Sequence, residues 1–240
     1  MDRTPPSTPA SRNWPLISGV SALVLALLLG VLIAARAGNL PLSFDERWMN
    51  EILAERSVWL EVPARFMDWL GGGLVGVLII PVGIVVALCV ARRWWGALFY
   101  ALAALVSVGV VQGLKALFSR PRPDDILVVA DVGSFPSGHV ANAATMAVVL
   151  AIIIAHRWVW VAGAAYVVLM ALSRTYLGAH WVSDTVGGAL IGVGVAVIAW
   201  APLAARLRAE QQKWWARGLP ASKAGQSRTN PSSPESDAAR

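Results

Sequence analysis

The chain holds a single cysteine, Cys89, set inside an apolar run. An intramolecular disulfide is excluded, and a cysteine-based metal site is disfavoured. Charge is nearly as scarce: Lys, Arg, Asp and Glu make up 14% of the 240 residues, against about 25% in soluble domains. Hydrophobic residues reach 57%, and the mean hydropathy is +0.60. That balance indicates a membrane protein. The net charge of +6 does not indicate nucleic acid, because no basic stripe interleaved with aromatics is present. The cations flank apolar segments instead, which suits anionic lipid headgroups and membrane orientation. No internal repeat, second domain or obligate protein partner is evident.

Apolar stretches near the 20 or so residues that cross a bilayer run from about Pro15 to Ala35, Gly73 to Val90, Trp94 to Phe118, His139 to Ala155, Trp158 to Leu177, and Trp181 to Ala204. The expected fold is all-α, a polytopic six-transmembrane-helix bundle. The first stretch exceeds the length of a signal-peptide core and reads as a retained anchor. Arg3, Arg12, Arg92, Arg93, His156, Arg157, Arg206, Arg208, Lys213 and Arg217 fall on one face of such a bundle. The positive-inside bias makes that face cytoplasmic, with both termini on it, in a cell membrane. Between Gly38 and Gly72 six acids (Asp45, Glu46, Glu51, Glu55, Glu61 and Asp68) outnumber Arg47, Arg56 and Arg65, which places this segment outside. Phe44, Trp48 and Ile52, then Trp59, Val62, Phe66 and Trp69, recur at helical spacing. They predict short interfacial helices, lying in the headgroup layer or packed on the rim of the bundle. The chain thus divides into a cytoplasmic segment 1–14, a membrane domain 15–205 and a tail 206–240. The tail is basic at first and, beyond Gly218, Ser-, Pro- and Gly-rich and expected to be disordered.

Four cations defy the orientation rule. Lys115, Arg120, Arg122 and Arg174 fall at the outer face, where a bound anion would account for them. His139, closing "SFPSGH", and His180, closing "SRTYLGAH", reach the same level. His156 falls at the opposite end and reads as an interfacial residue. Asp184 follows His180 by four residues, so within a helix the two would share a face. A carboxylate there can accept from one imidazole nitrogen and leave the other free to attack. Pro136 and Gly138 permit a tight turn, Ser137 is placed to cap the helix starting near His139, and helix-start amides attract phosphoryl oxygens. Asp124, Asp125 and Asp131 read as solvated loop acids, and no carboxylate cluster suited to magnesium appears.

Lys115, six residues and Arg122-Pro123; Pro136-Ser137-Gly138-His139; Ser173-Arg174, five residues, His180, three residues and Asp184: this ordered pattern resembles the type 2 phosphatidic acid phosphatase superfamily, whose membrane members are six-helix lipid phosphatases. The resemblance implies that His180 is the nucleophile, forming a phosphohistidine, and that Asp184 orients it. It implies that His139 protonates the leaving oxygen and then activates water. Lys115, Arg122 and Arg174, with Ser137 and the Gly138 backbone, would hold the phosphate, with no metal or cofactor. Phosphoryl transfer asks mainly for positioning and charge neutralisation, which these side chains supply. A site at the outer headgroup level suits a lipid phosphate whose tail stays in the bilayer: phosphatidic acid, phosphatidylglycerol phosphate or undecaprenyl diphosphate. A phosphotransferase using the same intermediate, and a non-catalytic lipid-phosphate binder or transporter, are the alternatives. Related vanadium haloperoxidases are soluble, which the six apolar stretches oppose.

Overall fold

The computed structural model describes residues 9–129 and 131–218; residues 1–8 and the tail from 219, read above as disordered, lie outside the described residues. Every regular element among them is helical: α1 (Pro9–Ala34), a 3₁₀ turn (Ala37–Asn39), α2 (Ser43–Ala54), α3 (Val58–Gly71), a π-helical turn (Val75–Ile79) running into α4 (Ile80–Val90), α5 (Trp94–Phe118), α6 (Gly138–Ile154), α7 (Arg157–Tyr176) and α8 (Val182–Gly218). The protein is an all-helical, multi-pass membrane bundle.

Among the described residues, four helices are long and apolar enough to cross a bilayer alone: Asn13–Ala34, Trp94–Phe118, Arg157–Tyr176 and Val182–Ala216. The stretch expected from Gly73 to Val90 is built as the π-helical turn plus α4, bent by 45° from α3. The stretch expected from His139 is α6, with 17 residues. Its rise of about 26 Å falls short of the roughly 30 Å hydrocarbon core. That suits its central position: Val140, Ala144, Val149 and Ile153 are all buried.

Small residues set how closely the bundle packs. A side chain on Gly188 would place its Cβ 2.4 Å from the Ser137 carbonyl oxygen, and one on Gly192 would lie 2.4 Å from that of Ala141. Glycine lets the α8 backbone lie directly against α6, the small-residue packing that brings membrane helices together. That contact holds the start of α8 beside the start of α6.

The α8 helix runs well beyond the expected end at Ala204. On its extension Glu210 accepts from the backbone amides of Trp95 and Gly96, at 2.8 and 3.0 Å, and so caps the start of α5. Arg93 donates to the Ile153 carbonyl at 2.8 Å, satisfying the end of α6. His156 caps α7 by accepting from the Trp158 amide. All three lie at the end of the bundle expected to be cytoplasmic.

The segment between α1 and α4 forms the expected amphipathic helices. Trp59, Val62, Phe66 and Trp69 are exposed, whereas Ala64 and Gly71 of α3 are buried. The apolar stripe therefore faces outward, and the opposite face of α3 packs on α7. In this packing the last turn of α3 meets the ends of α6 and α7.

Candidate active site

The end of α5, the loop to α6, the start of α6, the end of α7 and the segment before α8 converge on one cavity of about 620 Å³. Lys115, Arg122, Gly138, His139, Arg174 and His180 line its polar part. Val77, Leu78, Pro81 and Val82 from the π-helical turn and α4, with Ala104, Leu105 and Val108 from α5, line the remainder. Both histidines and three of the four misplaced cations thus share one hollow.

Arg120 does not. It is fully buried behind the cavity, donating from Nη1 to Asp184 Oδ1 at 2.5 Å and to Ser183 Oγ at 2.7 Å. Its Nη2 donates to Asp45 Oδ2 at 3.0 Å. Asp45, from the first turn of α2, also accepts from the Ser183 amide and hydroxyl, at 2.9 and 2.6 Å. A guanidinium between two carboxylates, all shielded from water, ties α2 and the α5–α6 loop to the start of α8.

Asp184 stands differently from the expectation. Its Oδ2 accepts from the Trp181 amide at 2.8 Å and lies 3.7 Å from His180 Nδ1. The atom at hydrogen-bond distance from Nδ1 is the Ser134 carbonyl oxygen, at 2.8 Å. The shared-face argument assumed that helix had begun by residue 180, but α8 starts at Val182. His180 is therefore outside the helical register, and the carboxylate is engaged by Arg120. A carbonyl can only accept, so Nδ1 carries the proton and Nε2 presents its lone pair. Nε2 lies 3.4 Å from Arg122 Nη1. Burial, then the charges of Arg174, Arg122 and Lys115 and the nearby His139, push His180 well below the ordinary imidazole range. The ring is neutral, as a nucleophile requires.

Ser137 occupies the position before α6, but its hydroxyl makes no capping bond and, although buried, has no partner. Its amide donates to the Asp184 carbonyl at 3.0 Å. The close Gly188 approach fixes this residue through its backbone, which leaves the hydroxyl free.

Two carboxylates hold the cations. Asp131 accepts from Lys115 Nζ through both oxygens, at 2.9 Å each, and from Arg122 Nη2 at 2.7 Å. Burial alone would raise its titration, but the hydrogen bond and charge of Lys115 with the charge of Arg122 prevail and lower it. Asp131, read from the sequence as a solvated loop acid, is indeed largely exposed, but it is also paired with two cations of the cavity. Arg122 also donates to the carbonyls of Asp131, Ala179 and Gly133, so it organises the loop as well as the cavity. The second carboxylate is Asp68 of α3, which pairs with Arg174 Nη1 and lies 3.2 Å from His139 Nε2.

Asp45 and Asp68 were missed from sequence, where both counted only toward the acidic bias of the outer segment. Asp45 left a faint signal, four residues before the buried Met49 on one helical face. Asp68 left none.

Residues 96–208 match the profile of the PAP2 superfamily, a span that contains the whole sequence pattern but neither Asp45 nor Asp68. The chain is 29% identical over 181 residues to phosphatidylglycerophosphatase B of Bacillus subtilis, covering 70% of this chain and 88% of that one. It is 31% identical over 140 residues to decaprenylphosphoryl-5-phosphoribose phosphatase of Mycobacterium tuberculosis, covering 56% of this chain and 76% of that one. The crystal structure of a transmembrane PAP2-type phosphatidylglycerolphosphate phosphatase from Bacillus subtilis superposes with a TM-score of 0.66 at 27% identity, over 79% of this chain and 96% of that one.

Proposed function

This chain belongs to the PAP2 superfamily and is a membrane lipid phosphatase; we propose that it cleaves the phosphate monoester or diphosphate of a membrane lipid at the extracytoplasmic face, through a phosphohistidine on His180. One observation carries the substrate class. A single cavity joins a cationic end, at Lys115, Arg122 and Arg174, to an apolar end between α4 and α5. A ligand that fills both has an anionic head and a hydrocarbon tail. The relatives named above act on phosphorylated lipids by their names, and phosphatidylglycerol phosphate leads the candidates. Phosphatidic acid and undecaprenyl diphosphate share the same design. The cations at the opposite end of the bundle support the outward face.

In the proposed reaction Lys115, Arg122 and Arg174 bind the phosphoryl oxygens and neutralise charge as it develops. His180 Nε2 forms a bond to phosphorus while the bond to the leaving oxygen breaks. His139 gives that oxygen its proton. A water molecule then loses a proton to His139 and attacks phosphorus, the N–P bond breaks, and phosphate leaves with both residues restored. The arginines supply planar donor pairs, and Lys115 a point charge. Asp184 acts through the buried network that fixes the segment carrying His180.

The test is phosphate release by the purified protein in detergent with excess chelator, from phosphatidylglycerol phosphate, phosphatidic acid and undecaprenyl diphosphate. Turnover of at least one is expected, and His180→Ala should abolish both turnover and acid-labile labelling of the protein by ³²P-substrate. Turnover that persists in His180→Ala contradicts the nucleophile, and an absolute need for added magnesium contradicts the metal-free route.

A further inference from the structure

Placing His139 as the leaving-group acid raises a difficulty that the cavity itself poses. Such an acid must carry its proton when substrate arrives. Yet His139 shares the hollow with Lys115, Arg122 and Arg174, and positive neighbours oppose an imidazolium. His180 contributes no negative charge, and Asp131 is already paired with Lys115 and Arg122. Among the described residues, the carboxylate within 4 Å of His139 is Asp68, 3.2 Å from a buried Nε2 that makes no hydrogen bond of good geometry, so the two are held by charge alone. It arrives from the last turn of α3, outside the span that matches the family.

The backbone after Asp68 is shaped to the same ring. A side chain on Gly72 would place its Cβ 2.1 Å from His139 Nε2 and 2.6 Å from Cε1. One on Gly71 would lie 2.3 Å from Met170 Cε and 3.2 Å from His139 Cδ2. Gly72 has an extended backbone open to any residue, so only its lack of a side chain matters: the imidazole fills that space. Asn142, one turn along α6 from His139, donates to the Gly76 carbonyl at 2.9 Å and binds α6 to the same junction. Carboxylate and glycine wall thus grip one ring from one segment. Asp68 also pairs with Arg174 Nη1, while Arg174 Nε has no protein partner. The guanidinium therefore keeps a donor beyond its bond to Asp68.

We propose that Asp68 is a positioning residue for the proton donor: its carboxylate, backed by the Gly71–Gly72 wall, holds the His139 imidazolium and the Arg174 guanidinium in register with the leaving oxygen. The inference rests on the functional reading above, in which His139 protonates that oxygen. The opposing view makes Asp68 an internal anion that competes with phosphate for Arg174, and the two predict different kinetics.

An alkoxide leaving group needs its proton, whereas a nitrophenolate leaves without one. The experiment therefore compares kcat/KM, which reports the first phosphoryl transfer, for phosphatidic acid and for p-nitrophenyl phosphate in the full-length protein. General-acid assistance amounts to about 10²- to 10⁴-fold. Asp68→Asn should lose about 100-fold or more on phosphatidic acid, with a loss at least tenfold smaller on the aryl ester. His139→Ala should show the same split. Gly72→Ala, which leaves every charge in place and only displaces the ring, should show it too, and Asp68→Glu, which keeps the charge but shifts it, decides the matter by the same split if Asp68→Asn fails to fold. Equal losses on both esters in the Asp68 and Gly72 variants, with the split intact in His139→Ala, overturn the proposal and spare the functional reading. A rise in kcat/KM on both esters in Asp68→Asn means the carboxylate competes with phosphate, and also overturns it. Absence of a split in His139→Ala removes the assigned proton donor, and both readings fall.

Discussion

Arg120 Nη1 lies 2.5 Å from Asp184 Oδ1, and neither side chain is exposed to solvent. With Asp45 on the other side of the guanidinium, removing the cation strands two buried carboxylates. Breaking one partner of a buried ion pair costs about 3–5 kcal/mol. Arg120→Met should lower the thermal unfolding midpoint in detergent steeply, and the more conservative Asp45→Asn less so. An Arg120→Met protein that unfolds at the wild-type temperature contradicts the structural role.

Asp131 makes a less intuitive prediction. It occupies Lys115 and Arg122, two of the groups assigned to phosphate, yet its own side chain is 58% exposed. Lys115 and Arg122 are only 7% and 13% exposed, but the carboxylate that covers them is open to solvent, so phosphate can compete with it for both cations. Asp131→Asn should therefore strengthen competitive inhibition by inorganic phosphate, by about tenfold for each 1.4 kcal/mol of competition removed. Weaker inhibition would show that the carboxylate orders the cations instead of occupying them.

Lys115, Arg122, Arg174, His139 and His180 were legible in the sequence because charge is costly beside apolar helices, and these residues sit where no orientation rule places them. The helical class and the outward stripe of α3 were legible for a related reason, as apolar length and periodicity are local properties. The partners were not. Asp45 pairs with Arg120 across 75 residues, and Asp68 with Arg174 across 106. Asp68 does not differ by local pattern from its solvated neighbours, and Asp45 differs only by sharing a helical face with Met49. The expected Asp184–His180 bond failed on a local point, a helix beginning at Val182, two residues after the histidine. Such boundaries are where pattern reading is weakest.

His180 gives the pH dependence its sign. Its titration lies well below 6.5, so the neutral, nucleophilic ring is lost only as pH falls through that lowered value. The acid limb of kcat/KM, which reports the free enzyme, should lie below pH 6.5 once ionisation of the substrate phosphate is allowed for. The unfolded chain, with an ordinary imidazole, binds more protons below pH 6.5, so this residue also makes stability fall with acidification. Placing the acid limb at or above 6.5, by rate measurements between pH 4 and 8, would contradict a neutral buried nucleophile.

The far end of the bundle offers a separation of stability from activity. Glu210 accepts two amides at the start of α5, while the cavity lies at the other end of that helix, beside Lys115. Losing an N-terminal cap with its charge–dipole contribution costs about 1–2 kcal/mol. Glu210→Ala should therefore lower the unfolding midpoint while kcat/KM, measured well below that midpoint, stays within about twofold of the parent value. If the midpoint holds, the cap is redundant with solvent at that helix end. If kcat/KM falls tenfold, the α8 extension is coupled to the site along the length of α5 or α8, and the two ends of the bundle are not independent.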